Sequence, residues 1–85
     1  MSAFLTGFQD YLKNQKCVSS NTLQSYVRDI EHFSIYLAAE NIDNPASVTA
    51  DDLQRYIESL EKLGRSASTV TRNIASIRCF YQYLI

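Results

Sequence analysis

Glycine occurs twice and proline once in these 85 residues. So few breakers argue against a turn-rich β-sandwich and favour a helical chain. No apolar run approaches the roughly 18 residues that span a bilayer. The opening MSAFLTGFQDYL has no basic region and contains Asp10, so it does not read as a secretory signal. A cytoplasmic protein with no membrane partner is the expectation.

Metal and enzyme chemistry are thinly supplied too. Cys17 and Cys79 stand alone, with no C-x-x-C pair, and His32 is the single histidine. A zinc site usually takes four ligands, more than this set readily provides. In a cytosolic setting both cysteines are expected to be reduced and structural, although the sequence leaves a disulfide between them open. There is no Gly-rich phosphate loop, no H-E-x-x-H and no G-x-S-x-G. His32 lies beside an apolar stripe and reads as a surface or half-buried helix residue. Asp51 and Asp52 are explained more simply by a helix N-terminus than by a paired-carboxylate site. Tyr81 and Tyr83 have no basic constellation to activate them. The expectation is therefore no catalytic residue, no metal, no cofactor and no small-molecule substrate.

What is present is a globular composition, 46% hydrophobic and 20% charged, in a length that suits one small domain. Apolar spacing predicts four helices, at about 3–16, 20–40, 50–63 and 67–85. The first carries Phe4, Leu5, Phe8, Tyr11 and Leu12 on one face. Ser19 or Ser20 caps the second, whose face holds Leu23, Val27, Ile30 and Leu37, widened by Tyr26, Phe33 and Tyr36. NIDNPAS follows as a loop, with Asn44-Pro45 as its turn signal. Thr49 opens the third, in a capping box with Asp in place of Glu, and Leu53, Tyr56, Ile57 and Leu60 form its buried stripe. Gly64 is the expected residue just past its end. Ser66 or Ser68 caps the fourth, with Val70, Ile74, Ile77, Tyr81 and Leu84 as its apolar stripe. The last residues, Tyr83-Leu84-Ile85, fall within an apolar run with no cap, which suggests one domain of a longer protein.

The net charge of −1 hides an uneven distribution. Residues 25–61 hold Arg28 and Arg55 against eight acids, a net −6. Residues 62–85 hold Lys62, Arg65, Arg72 and Arg78 and no acid, a net +4. That asymmetry suggests one face for an anionic partner. The stretch SASTVTRNIAS, residues 66–76, sharpens the suggestion. Ser and Thr are mediocre helix formers, yet Thr69, Arg72, Asn73 and Ser76 fall at i, i+3, i+4 and i+7, a polar stripe opposite Val70, Ile74 and Ile77. Ser66 and Ser68 start that helix, where free N–H groups favour phosphate. The second helix begins alike: Asn21, Gln24, Ser25 and Arg28 share a polar face, with Thr22 adjacent. Short hydroxyl and amide side chains allow close approach to a duplex, while Arg and Lys reach phosphates or guanine edges. Two capped helices with solvated faces would look the same; the basic last quarter inclines the reading toward DNA.

SSNTLQSYVRDIEHFSIYL resembles the second-helix signature of the N-terminal core-binding domain of tyrosine recombinases, the phage-integrase and Xer group. VTADDLQRYIESLEKLG is similar to that family's third helix and SASTVTRNIASIRCFYQYL to its fourth. The resemblance runs from Phe4 to Leu84. It implies an all-α, four-helix, SAM-like orthogonal bundle forming one half of a clamp around double-stranded DNA at a recombination core site. The other half would be a catalytic domain with the arginines, Lys, His and nucleophilic Tyr of strand exchange, so this chain would not cleave DNA by itself. The matching positions are Asn21, Thr22, Gln24, Ser25 and Arg28 on the second helix. On the fourth they are Ser66, Ser68, Thr69, Arg72 and Ser76; charge adds Lys62 and Arg65. Other recombinase protomers in a synaptic complex are implied as partners. Four contacted phosphates would give log K a slope of about −3.5 against log salt. The rival expectation is a helical protein-interaction module that docks through its first helix or its acidic residues 51–61.

Overall fold

The computed structural model describes residues 2–85. Four α-helices make up the bundle: α1 Ser2–Asn14, α2 Ser20–Ala39, α3 Ala50–Lys62 and α4 Ala67–Leu84. No strand occurs among the described residues. This is the all-α architecture expected, with one addition. Pro45–Ser47 forms a short 3-10 turn inside the loop before α3, where Asn44 accepts the Ala46 N–H at 3.0 Å.

The helix ends sit where free backbone groups find partners. Ser19 rather than Ser20 caps α2, and Ser66 rather than Ser68 caps α4. Thr49 and Asp52 form a reciprocal capping box at α3, with bonds of 3.0 and 3.2 Å. Both α2 and α3 then close by the same device. Asn41 (φ 60) and Gly64 (φ 80) take the left-handed turn. The next residue reaches back over the last turn, Ile42 N–H to Leu37 O at 2.8 Å and Arg65 N–H to Leu60 O at 3.1 Å. Asparagine and glycine tolerate that conformation best.

The core is Phe8 and Leu12 of α1, Val27, Ile30, Phe33 and Leu37 of α2, Tyr56 and Leu60 of α3, and Ile77 and Phe80 of α4. Aromatic rings tie the four helices together. Phe8 meets Phe80 edge-on at 5.3 Å between centroids. Phe33 and Tyr36 both flank Tyr56, at 5.1 and 5.0 Å. Tyr83 lies across Gly7 of α1, where an added Cβ would run into the phenol. The loop before α3 is fastened by Tyr81, whose hydroxyl donates to the Pro45 carbonyl at 2.6 Å. Burial pushes that phenol up to about 12.

One face departs from the expectation. The buried side of α4 is Asn73, Ser76, Ile77 and Phe80, while Ile74 is 40% exposed and Val70 and Tyr81 are half-buried. The helix is thus turned by roughly a fifth of a revolution from the stripe predicted by its aliphatic residues. Phe80, fully buried against Phe8, sets that rotation. The cysteines are free, Cys17 exposed and Cys79 half-buried, so no disulfide joins them and Cys17 has no place in the core. Burial pushes the Cys79 thiol up.

Candidate nucleic-acid interface

The two helices singled out by their hydroxyl-rich starts use one local design. In α2, Ser19 Oγ accepts the Thr22 N–H at 3.2 Å and donates to Thr22 Oγ1 at 2.9 Å. In α4, Ser66 Oγ accepts the Thr69 N–H at 3.2 Å and donates to Thr69 Oγ1 at 3.1 Å. Each serine is therefore occupied by its own helix. Each threonine hydroxyl, having accepted a bond, keeps a proton to offer outward.

A buried carboxylate holds the two helices together. Asp29 of α2 is 3% exposed. It accepts Arg72 Nε at 3.0 Å and Nη2 at 2.9 Å, and Ser76 Oγ at 2.7 Å. A buried charge needs such a set, since its desolvation is otherwise prohibitive. The bond to Asp29 also raises the affinity of Arg72 for its proton. Arg72 itself remains 44% exposed, so one side of its guanidinium is in the protein and the other in water.

This arrangement corrects the predicted stripe on α4. Ser76 is fully buried and faces α2. Asn73 is 4% exposed, with its Nδ2 donating to the Thr69 carbonyl at 2.9 Å. Neither is on a surface that a duplex could reach. The outward line of α4 instead runs through Ser68, Thr71, Arg78 and Gln82, with Ile74 beside it. Thr71, which had no role in the sequence, is one of these exposed residues. The remaining candidates are accessible. Asn21, Gln24, Arg28, Lys62, Arg65, Ser66 and Ser68 are exposed, and Thr22, Ser25 and Thr69 are half-buried. Arg28, Lys62 and Arg65 form no ion pair among the described residues.

Asp29 is the residue that sequence reasoning missed. The signal was there: it falls three residues after Tyr26 and four before Phe33, inside the aromatic edge of the apolar face. An acid at such a position calls for a cation from another element. Nothing in the sequence says which of the seven lysines and arginines outside α2 it is.

Residues 5–85 match the family described as phage integrase, N-terminal SAM-like domain. The chain belongs to this family. Similar proteins include the tyrosine recombinase XerC of Azotobacter vinelandii, 34% identical over all of this chain and 28% of that protein. The tyrosine recombinase XerD of Listeria monocytogenes serotype 4b is 30% identical over all of this chain and 29% of that protein. XerC of Oceanobacillus iheyensis is 31% identical over 99% of this chain and 28% of that protein. The chain thus spans under a third of the length of the curated relatives it matches. No solved structure matches it. In this integrase SAM-like domain, no three His, Cys, Asp or Glu side chains converge as a metal site among the described residues. No helix among them is long and apolar enough to cross a membrane.

Proposed function

We propose that this SAM-like domain binds double-stranded DNA and serves as the core-binding part of a site-specific tyrosine recombinase. One observation carries the reading. Two helices with identical Ser-x-x-Thr starts are pinned to each other through Asp29, Arg72 and Ser76, while Arg28, Lys62 and Arg65 stay free of carboxylates. Helix N-termini and unpaired cations suit phosphate, and the small polar residues between them permit close approach. The cytoplasm is the compartment where such a protein would meet its DNA, with other recombinase protomers beside it. Strand cleavage belongs to a region other than these 85 residues.

Of the four candidate cations, Arg28, Lys62, Arg65 and Arg72, the last is tied to Asp29, so three are left for phosphates. The slope of log K against log salt is then about −2.7. Fluorescence anisotropy with a labelled duplex tests this. Binding that weakens with that slope is the expected result. No binding at low salt, or binding indifferent to salt, refutes the reading.

A second reading has one observation behind it. Ile35 and Leu63 are 68% and 72% exposed and border an apolar groove of about 230 Å³ between α2 and α3 with Tyr36 and Leu60. A protein partner seated there would move the amide signals of Ile35, Ser59 and Leu63, whereas DNA would move those of Thr69 and Arg72.

A further inference from the structure

The Asp29–Arg72 pair has a property that neither residue has alone. Asp29 takes the Nε–Nη2 edge of the guanidinium in a two-pronged bond. Three of the five guanidinium N–H groups remain, two on Nη1 and one on Nη2. Nη1 has no hydrogen-bond partner among the described residues. These groups form a second planar fork on the edge turned away from the carboxylate, and the side chain is 44% exposed. Ser76 steadies the carboxylate from within the bundle at 2.7 Å.

We infer that Asp29 is a positioning residue for DNA recognition: it holds Arg72 so that the free Nη1–Nη2 fork reads the O6 and N7 acceptors of guanine in the major groove. The inference rests on the DNA-binding reading and narrows it to one contact. Two physical reasons favour a base over a phosphate. The charge of Arg72 is cancelled locally by a carboxylate within 3.0 Å, so little counterion release follows when it meets a phosphate. Its orientation, by contrast, is fixed before DNA arrives, and a fixed planar fork is what two-point guanine recognition requires. The neighbouring side chains on α4, Ser68 and Thr69, are short enough to let the helix approach a groove.

The test begins with a 20-base-pair duplex that the chain itself enriches from a randomised pool. Anisotropy is then measured on that duplex and on copies carrying 7-deazaguanine, which lacks the N7 acceptor, at one guanine at a time. The wild-type chain should lose about 5-fold or more in affinity at one particular guanine. Asp29→Asn and Arg72→Lys should lose that sensitivity. Asp29→Asn should also steepen the salt slope by about 0.9, because the freed guanidinium now acts as a phosphate cation. Ser76→Ala, which loosens one side of the carboxylate, should give an intermediate sensitivity. Thermal melts by circular dichroism establish that each variant is folded at the assay temperature, and the modified-DNA experiment on the wild-type chain needs no variant. Salt-dependent binding with no 7-deazaguanine effect overturns this inference and leaves the DNA reading standing. So does a folded Asp29→Asn that keeps both the wild-type sensitivity and the wild-type slope. Absence of any binding by the wild-type chain overturns both.

Discussion

Replacing Arg72 by alanine should be among the most damaging changes available on the surface of this domain. Asp29 keeps 3% of its surface in water and depends on three donors at 2.7 to 3.0 Å. Alanine removes two of them and the compensating charge. Breaking a buried pair from one side costs about 3–5 kcal/mol. Arg72 is 44% exposed, so water enters where it stood and rehydrates part of the carboxylate. That places the loss at the lower edge, about 3 kcal/mol. A domain of this size has on the order of 4–13 kcal/mol of stability in all, and its melting temperature should fall by about 12–24 °C. The decisive measurement is a double-mutant cycle in urea followed by circular dichroism. Asp29→Asn added to Arg72→Ala removes the orphaned charge and should recover about 1 kcal/mol or more, with the denaturant slope unchanged. An Arg72→Ala variant within about 0.5 kcal/mol of wild type would refute the argument. So would a double variant no more stable than the single.

Three further outcomes are expected. Ser19→Ala and Ser66→Ala should each cost about 1 kcal/mol, and because they cap different helices without shared partners, the double variant should lose the sum; thermal melts check both. Gly7→Ala puts a methyl group against the Tyr83 phenol, whose Cζ would lie at 2.9 Å; the domain should lose about 1 kcal/mol, overpacking outweighing the gain in helix propensity, and Tyr83→Phe should restore part of it. Asp52 accepts the Thr49 N–H and then the Arg55 guanidinium, which together hold its carboxyl below its ordinary value. A depressed folded-state value means that this stabilisation is complete above the ordinary carboxylate range and is lost as pH falls through the lowered one. Melting temperatures between pH 2 and 6 should therefore decline less steeply in Asp52→Asn than in wild type.

Much of the bundle was legible because its cues are local. Capping residues, the capping box with Asp52 and the left-handed Gly64 act within a few residues of where they stand. The eight core residues on α1, α2 and α3 likewise follow from apolar spacing along a single helix, as Phe8, Leu12, Ile30 and Leu60 illustrate. Asn44-Pro45 marked a turn before α3, but the bond that fastens it comes from Tyr81, 36 residues away, and no local cue announces that partner.

The candidate site divides along the same line. The sequence by itself determined that α2 and α4 open on hydroxyls, that cations gather in the last quarter, and that four amphipathic helices form. Periodicity along one helix carries that information. Which way α4 faces was decided only when the helices met. Aliphatic spacing pointed at Val70 and Ile74, but Phe80 fills the space against Phe8 and turns the helix. That rotation buries Asn73 and Ser76 and leaves Thr71 in water. It also brings Arg72 to Asp29, 43 residues earlier in the chain. A pairing over that separation depends on the relative placement of two helices, and that placement is set by the packing of side chains from all four.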